Sequence, residues 1–234
     1  MRGDMSEPMT YGEPTAPHLK VMSRPVDIFI FDEVPDPCVK PHQDYLQDPI
    51  SMRRQATKAK MLSLLLEPST LDLEADVDLL KAFTDLTIAG SNDTETYKAL
   101  ERVIHQSTPL ILKEKYRHNY PRPAQVVNKY IGDFEPNIDS KSALTPSYPS
   151  GHSAQAYLLA LIFSEAHPHH ATHFHKTAEA IGMGRVFAGL HTKEDHDYGQ
   201  EIGALLYQAM RPEFLSYVVS LVGALKAGTF LKIN

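Results

Sequence analysis

Three short blocks of the sequence carry residue types that suit an anionic ligand, and they lie at residues 115–123, 149–152 and 185–195. Together they supply three cationic side chains, two imidazoles and one carboxylate: Lys115, Arg122, Arg185, His152, His191 and Asp195. Each block lies where a loop is predicted to meet a helix. The unpaired N–H groups of a helix start form a ready anion site. The blocks therefore predict a phosphate-binding site.

The order and spacing of the blocks resemble the signature of the type-2 phosphatidic acid phosphatase and vanadium haloperoxidase superfamily. That signature reads Lys, six residues, Arg-Pro, then Pro-Ser-Gly-His, then Ser-Arg, five residues, His, three residues and Asp. The chain departs from it at Gly184, where the family has Ser, so one hydroxyl that could support the phosphate pocket is absent. The resemblance covers about half of the chain, and its length and helical order are most similar to the soluble class A non-specific acid phosphatases.

The resemblance implies a mechanism that the residues themselves support. His191 and Asp195 are four positions apart, so they can meet on one helix face. Asp195 would then accept the Nδ1–H and leave the opposite nitrogen free to attack phosphorus. The resemblance makes His191 the nucleophile that forms a phosphohistidine and His152 the general acid and base. Because these two imidazoles need opposite protonation states, we expect a bell-shaped rate profile at mildly acidic pH.

The same resemblance implies a phosphate cradle that needs no metal or other cofactor. Its cations would surround the equatorial oxygens, and N–H groups at the start of a helix would add donors. The residues assigned to this cradle are Lys115, Arg122, Ser150, Gly151 and Arg185. The function implied is metal-independent hydrolysis of a phosphomonoester, as in an acid phosphatase.

Two other functions fit these residues. Vanadium haloperoxidases resemble the same constellation and hold vanadate at the position matching His191, because vanadate resembles a phosphoryl transition state. A catalytically silent phosphate-binding homologue is the second alternative, motivated by Gly184. We favour the phosphatase because haloperoxidases are generally much longer than 234 residues. The substrate stays open among nucleotides, sugar phosphates, lipid phosphates and pyrophosphate.

A histidine-rich stretch lies between the second and third blocks. It contains His167, His169, His170, His173 and His175. Two of these, His169 and His173, are spaced for one helix face and could bind a divalent metal. Because the stretch has no nearby Cys or committed carboxylate, we interpret it as a solvated connector and expect no metal site.

The elements that must position these residues are predicted to be helices. From residue 51 onward apolar residues recur at spacings of three and four, and strand signals are nearly absent. We therefore expect an all-α, single-domain helical bundle over residues 51–234, of the acid phosphatase and haloperoxidase type. After a long loop at 117–149, four helices are predicted, at 153–166, 172–187, 193–210 and 212–227.

Before that loop, a capping box at residues 92–95 predicts a long helix that Pro109 kinks before it delivers Lys115 to the end of the core. Residues 1–50 hold eight of the 17 prolines, which predicts an extended arm without regular helix. Within the arm residues 26–31 are apolar and β-prone, so they could lie in a groove of the body or of a second subunit, but we favour a surface strand or irregular loop. Such an arm would also suit exchange between the subunits of a homodimer.

Composition restricts the partners. A net charge of −6 argues against nucleic acid, so a small phosphorylated substrate is the partner we expect. The single cysteine, Cys38, excludes an intrachain disulfide. No apolar stretch reaches the roughly 18 residues of a membrane span, so we expect a soluble protein. Acidic residues and prolines occupy the first thirty positions, where a secretory signal would be apolar, so we expect a cytoplasmic location by default.

Overall fold

The computed structural model describes residues 9–35, 48–66, 79–81, 83 and 94–225. The described ranges contain α1 (Ala16–Met22), α2 (Pro49–Leu65), α3 (Thr94–His118), α4 (Pro123–Tyr130), α5 (Gly151–Ala166), α6 (Ala171–Phe187), α7 (Lys193–Ala209) and α8 (Pro212–Ala224). None of the described residues belongs to a β-strand, so the expected all-α fold is confirmed. Each helix in these ranges is too short or too polar to cross a bilayer.

Helix α5 carries the second block and is surrounded by other helices. It packs against α3, α6, α7 and α8. Its apolar residues are fully buried on several sides: Ala154, Ala156, Leu158, Leu159, Ala160, Ile162 and Phe163. A helix that is apolar all round needs neighbours on every side. Ser150 caps its start by accepting the N–H of Ser153 at 3.3 Å, so the cap of α5 also lies in the interior.

Helix α7 approaches α5 closely at Gly199. A Cβ at this position would lie 2.7 Å from the carbonyl oxygen of Ser150 and 2.8 Å from the Cβ of Ser153. No side chain fits there, so glycine lets the starts of α5 and α7 lie side by side. Across this contact the N–H of Ser150 donates to the carbonyl oxygen of Asp195 at 2.8 Å. The second and third blocks meet because of this close approach.

Helix α3 delivers Lys115, as expected. It runs from Thr94 to His118 with Pro109 inside it. Residues 92 and 93 of the expected capping box lie outside the described residues. Residues 108, 111, 112 and 115 follow one another at helical spacing, so they share one face of α3.

The region between the first and second blocks is not the long loop expected at 117–149. Helix α4 occupies Pro123–Tyr130, and a 3₁₀ turn occupies Lys141–Leu144. Arg122 is the N-cap of α4, and its N–H donates to Oε1 of Gln125 at 2.9 Å. The prediction was wrong because a proline in the first turn begins a helix and does not break it.

The N-terminal arm also differs from the expectation. Helix α1 forms within it, again with a proline in its first turn. The apolar segment at residues 28–30 packs against the junction of α7 and α8 of the same chain. There the N–H of Ile30 donates to the carbonyl oxygen of Ala209, and the N–H of Arg211 donates to that of Ile28, both at 2.8 Å. Cys38 lies outside the described residues.

We expect Gly199→Ala to lower the free energy of unfolding by about 1–3 kcal/mol, because the added methyl group overlaps the Ser150 carbonyl. The matched control is Gly223→Ala in α8, where a Cβ would meet only the carbonyl oxygen of Ala166 at 3.9 Å. Alanine is favoured over glycine within a helix, so the control should be neutral or stabilise by up to about 1 kcal/mol. Urea unfolding measures both effects. Equal stability of the two variants would contradict the close packing of α5 and α7.

Candidate active site

The three blocks meet at one pocket of about 160 Å³. The residues expected from the sequence that line it are Lys115, Arg122, Gly151, His152 and His191. The remaining three, Ser150, Arg185 and Asp195, are fully buried beneath its surface. The structure therefore brings all eight residues together, five at the pocket and three behind it.

His191 lies between Arg122 and Asp195. Its Nδ1 is 3.2 Å from Oδ2 of Asp195, and its Nε2 is 2.9 Å from Nη1 of Arg122. A guanidinium can only donate hydrogen bonds, so Nε2 must be the acceptor and carry the lone pair. The proton therefore resides on Nδ1 and faces Asp195. The sequence had suggested that His191 and Asp195 share a helix face. His191 instead precedes α7, and the contact forms across the start of that helix.

The Asp195 carboxylate is fixed by a capping box at the start of α7. Its Oδ2 accepts the N–H of Thr192 at 2.8 Å, and its own N–H donates to Oγ1 of Thr192 at 3.2 Å. The same Oδ2 accepts the hydroxyl of Ser147 at 2.6 Å. Neither Thr192 nor Ser147 was predicted as a site residue. The Thr-x-x-Asp pattern could have revealed Thr192, whereas no local pattern marks Ser147.

Lys115 is buried at the end of the pocket. Its Nζ donates to the carbonyl oxygens of Pro146 at 2.6 Å and of Ser147 at 3.3 Å. Burial lowers the pKa of Lys115 well below its usual range, the positive charge of Arg122 lowers it further, and Asp195 opposes the shift. An anion entering the pocket would favour the charged lysine.

Arg122 is held rigidly by protein acceptors. Its Nε donates to the carbonyl oxygen of Thr145 at 2.8 Å and its Nη1 to that of Leu190 at 3.0 Å. Its Nη2 donates to the carbonyl oxygen of Ser142. Burial lowers the pKa of Arg122 to about 10, so the guanidinium is still cationic at neutral pH. A positive charge is thereby fixed against His191.

Arg185 lies behind the pocket on α6 and is supported by two serines that the sequence did not single out. Its Nη2 donates to Oγ of Ser140 at 2.9 Å and to Oγ of Ser142 at 3.0 Å. Position 184, where the family has Ser, is a buried glycine. The segment at residues 140–142 therefore supplies the hydroxyl groups that accept hydrogen bonds from Arg185.

The second block contributes less directly than expected. The N–H of Ser150 donates to the carbonyl oxygen of Asp195, so in this structure it is not directed at the pocket. A Cβ at Gly151 would meet only the side chains of Ile111 and Lys115, both at 3.7 Å. Packing therefore does not require this glycine, but a larger residue would occupy pocket space. His152 lines the pocket beside it.

Burial sets the protonation of the central pair. It lowers the pKa of His191 well below the usual range, and the positive charges of Arg122 and Lys115 act in the same direction. Burial raises the pKa of Asp195, which the hydrogen bonds from Ser147 and Thr192 oppose. Because the neutral form of His191 exists above its folded-state pKa, the lone pair persists into the acidic range.

The histidine-rich stretch lies apart from this pocket, at a 3₁₀ turn (Pro168–His170) and the start of α6. His167 contacts the carbonyl oxygen of Val222 through Nε2 at 3.0 Å. Among the residues that the structure describes, no group of three or more His, Cys, Asp or Glu side chains is arranged to hold a metal ion.

Comparison with known families agrees with this geometry. The PAP2 superfamily profile matches residues 99–214, about half of the chain, and this range includes all eight residues of the site. The chain belongs to the PAP2 superfamily.

Individual relatives are similar over stretches of different length. A non-specific acid phosphatase of Salmonella typhimurium is 40% identical over 65 residues, covering 28% of this chain and 26% of that protein. A protein of the same name from Providencia stuartii is 27% identical over 129 residues, covering 54% of this chain and 52% of that protein. The chain thus spans between a quarter and a half of the length of these relatives.

We expect His191 to be neutral and protonated on Nδ1 at about pH 6, where an ordinary histidine with a pKa of about 6.5 is mostly charged. Nitrogen NMR of protein labelled at histidine reads both properties. The His191 signals are those lost in the His191→Gln variant. A charged ring, or a neutral ring protonated on Nε2, would contradict the geometry of the site.

Proposed function

We propose that the chain hydrolyses phosphomonoesters through a phosphohistidine formed on Nε2 of His191. One observation carries the proposal: the Nε2 lone pair lies at the pocket, 2.9 Å from a fixed guanidinium, while Nδ1 faces a buried carboxylate. A nucleophile whose opposite nitrogen is held by a carboxylate, beside cations that bind the phosphoryl oxygens, is the arrangement this chemistry needs. The relatives named non-specific acid phosphatase support the same activity.

In the first step Nε2 of His191 attacks phosphorus, and the bond between phosphorus and the alcohol oxygen breaks. His152 gives a proton to the departing alkoxide, which leaves as the alcohol. The positive charge that develops on the imidazole is stabilised through Nδ1–H by Asp195. In the second step His152 takes a proton from water, the hydroxide attacks phosphorus, and the bond to Nε2 breaks, which releases phosphate.

The cations bind and polarise the phosphoryl group. Entry of that group requires the hydrogen bond from Arg122 to Nε2 to break, and Nη1 can then donate to a phosphoryl oxygen. Lys115 lies in the same pocket, and Arg185 adds positive charge from behind it. Donors already held in place cost little reorganisation when charge develops, and removing one such donor typically costs about 10²–10³ in rate.

The wall of the pocket indicates how the alcohol side is recognised. Ile111 and Leu112 of α3 contribute aliphatic surface. The polar wall residues already donate to protein acceptors: Oγ1 of Thr108 to Ile104 O at 2.7 Å, Oγ1 of Thr145 to Ser142 O at 2.9 Å, and Nε2 of Gln155 to Thr108 Oγ1 at 3.1 Å. We therefore propose an alkyl or aryl phosphate as the preferred substrate over a sugar phosphate.

The catalytic assignment is tested with para-nitrophenyl phosphate in the presence of EDTA, across pH. We expect turnover that survives chelation, falls by at least about 10³-fold in His191→Ala and by about 10²–10⁴-fold in His152→Ala. The matched control, His105→Ala, removes an exposed histidine of α3 and should leave kcat unchanged.

The acid limb of kcat/KM should lie below the ordinary histidine range, because burial lowers the pKa of His191. Wild-type protein that binds phosphate without turnover would overturn the proposal in favour of a silent binding protein. Absence of phosphatase turnover together with bromide oxidation after loading with vanadate would overturn it in favour of a haloperoxidase.

The substrate preference is tested with two phosphates of primary alcohols, n-hexyl phosphate and glucose 6-phosphate. We expect KM to be about tenfold lower for the hexyl ester, because each buried methylene contributes about 0.8 kcal/mol against the aliphatic wall. Both leaving groups are primary alkoxides, so the rates of the chemical step should be comparable for the two substrates. An equal or lower KM for glucose 6-phosphate would refute recognition by apolar contact.

A further inference from the structure

Ser147 lies outside the three signature blocks, yet it contacts two residues of the site at once. Its hydroxyl donates to Oδ2 of Asp195 at 2.6 Å, and both side chains are 0% exposed. Its carbonyl oxygen accepts from Nζ of Lys115 at 3.3 Å. One residue thus joins the carboxylate behind the nucleophile to a cation of the phosphate pocket.

The backbone of Ser147 is itself held in place. Its N–H donates to the carbonyl oxygen of Tyr120 at 2.8 Å. The next residue, Tyr148, stacks on Tyr198 of α7 with ring centroids 4.6 Å apart and planes at 11°. The hydroxyl of Tyr198 donates to Oε1 of Glu114 of α3 at 2.7 Å. The segment is therefore anchored to both α3 and α7, which limits the directions in which the Ser147 hydroxyl can point.

The hydroxyl acts on the oxygen that matters for the nucleophile. Oδ2 of Asp195 is the atom that faces Nδ1 of His191 at 3.2 Å. A donor to a buried carboxylate favours its charged form, and a charged acceptor keeps the imidazole proton on Nδ1. Thr192 supplies a second donor from its backbone, which no side-chain substitution removes. Ser147 is therefore the side chain through which this support can be varied.

We propose that Ser147 is a positioning residue that keeps Asp195 ionised and aimed at His191, so that Nε2 retains its lone pair for attack. This inference rests on the proposed phosphatase function. It predicts a change in the chemical step with little change in substrate binding, because the backbone carbonyl that holds Lys115 is present whatever the side chain at position 147.

The test compares Ser147→Ala with the wild type and with Ser63→Ala. Ser63 is also a buried serine, but its hydroxyl donates to the carbonyl oxygen of Lys60 within α2. We expect kcat for para-nitrophenyl phosphate to fall by about 10- to 100-fold in Ser147→Ala, as for the loss of a hydrogen bond to a charged group. KM should change by less than about threefold, and Ser63→Ala should match the wild type, because the phosphate-binding cations are unaltered in both.

The pH profile separates positioning from a general loss of structure. Protonation of either His191 or Asp195 removes the state that attacks phosphorus, and loss of the donor raises the pKa of Asp195, so the acid limb of kcat/KM should move to higher pH in Ser147→Ala. Ser147→Cys keeps the shape of the side chain, with a larger atom that is a weak S–H donor, so its kcat should lie between those of Ser147→Ala and the wild type. This second variant also provides the comparison if Ser147→Ala does not fold.

Two results would overturn the assignment of Ser147. One is a kcat and an acid limb in Ser147→Ala that match those of Ser63→Ala. The other is a raised KM with unchanged kcat, which would place the role of Ser147 in substrate binding. Nitrogen NMR of His191 distinguishes this failure from failure of the proposed function, because it needs no turnover. A rise in the pH at which the His191 signals report protonation in Ser147→Ala supports the positioning role even in an inactive protein, and an unchanged titration refutes it.

Discussion

The buried carboxylate of Asp195 is the feature on which the rest of the site depends. A single oxygen, Oδ2, accepts from the backbone of Thr192, from the hydroxyl of Ser147 and from the ring of His191. These donors come from the start of α7, from the segment before α5 and from the turn after α6. All three donors can reach one carboxylate only because α5 and α7 approach closely at Gly199. The orientation of the imidazole therefore depends on the packing of these two helices.

A second constraint is the density of positive charge in a buried space. Burial lowers the pKa of Lys115 and of Arg122, and both side chains are held by neutral carbonyl acceptors. The charge of Arg122 also lowers the pKa of His191, so the residue proposed to bind phosphate keeps the proposed nucleophile neutral. In the proposed mechanism a phosphoryl oxygen replaces Nε2 of His191 as the acceptor of one Nη1 hydrogen bond of Arg122, so binding of the substrate would expose the lone pair.

The residues that the structure gathers at the pocket could be predicted from the sequence because few types of side chain bind phosphate or attack phosphorus, and because the blocks lie where helices end or begin. The ends of α5, α6 and α7 were predicted to within two residues. Helix α4 was missed because the five prolines and the polar residues at 117–149 were interpreted as a loop. Ser147 and the serines that support Arg185 could not be predicted. Their contacts join positions more than forty residues apart. Hydroxyl and carbonyl groups are also common along the chain, so nothing local distinguishes these serines from others.

The measurement that most directly tests the central claim is chemical trapping of the phosphorylated protein. Wild-type protein is mixed with substrate, quenched with alkali to preserve phosphohistidine, digested and sequenced by mass spectrometry. We expect a phosphoryl group on His191, attached through Nε2, that forms and decays at rates compatible with turnover. Turnover without any label, or with the label on a different residue, would contradict the account.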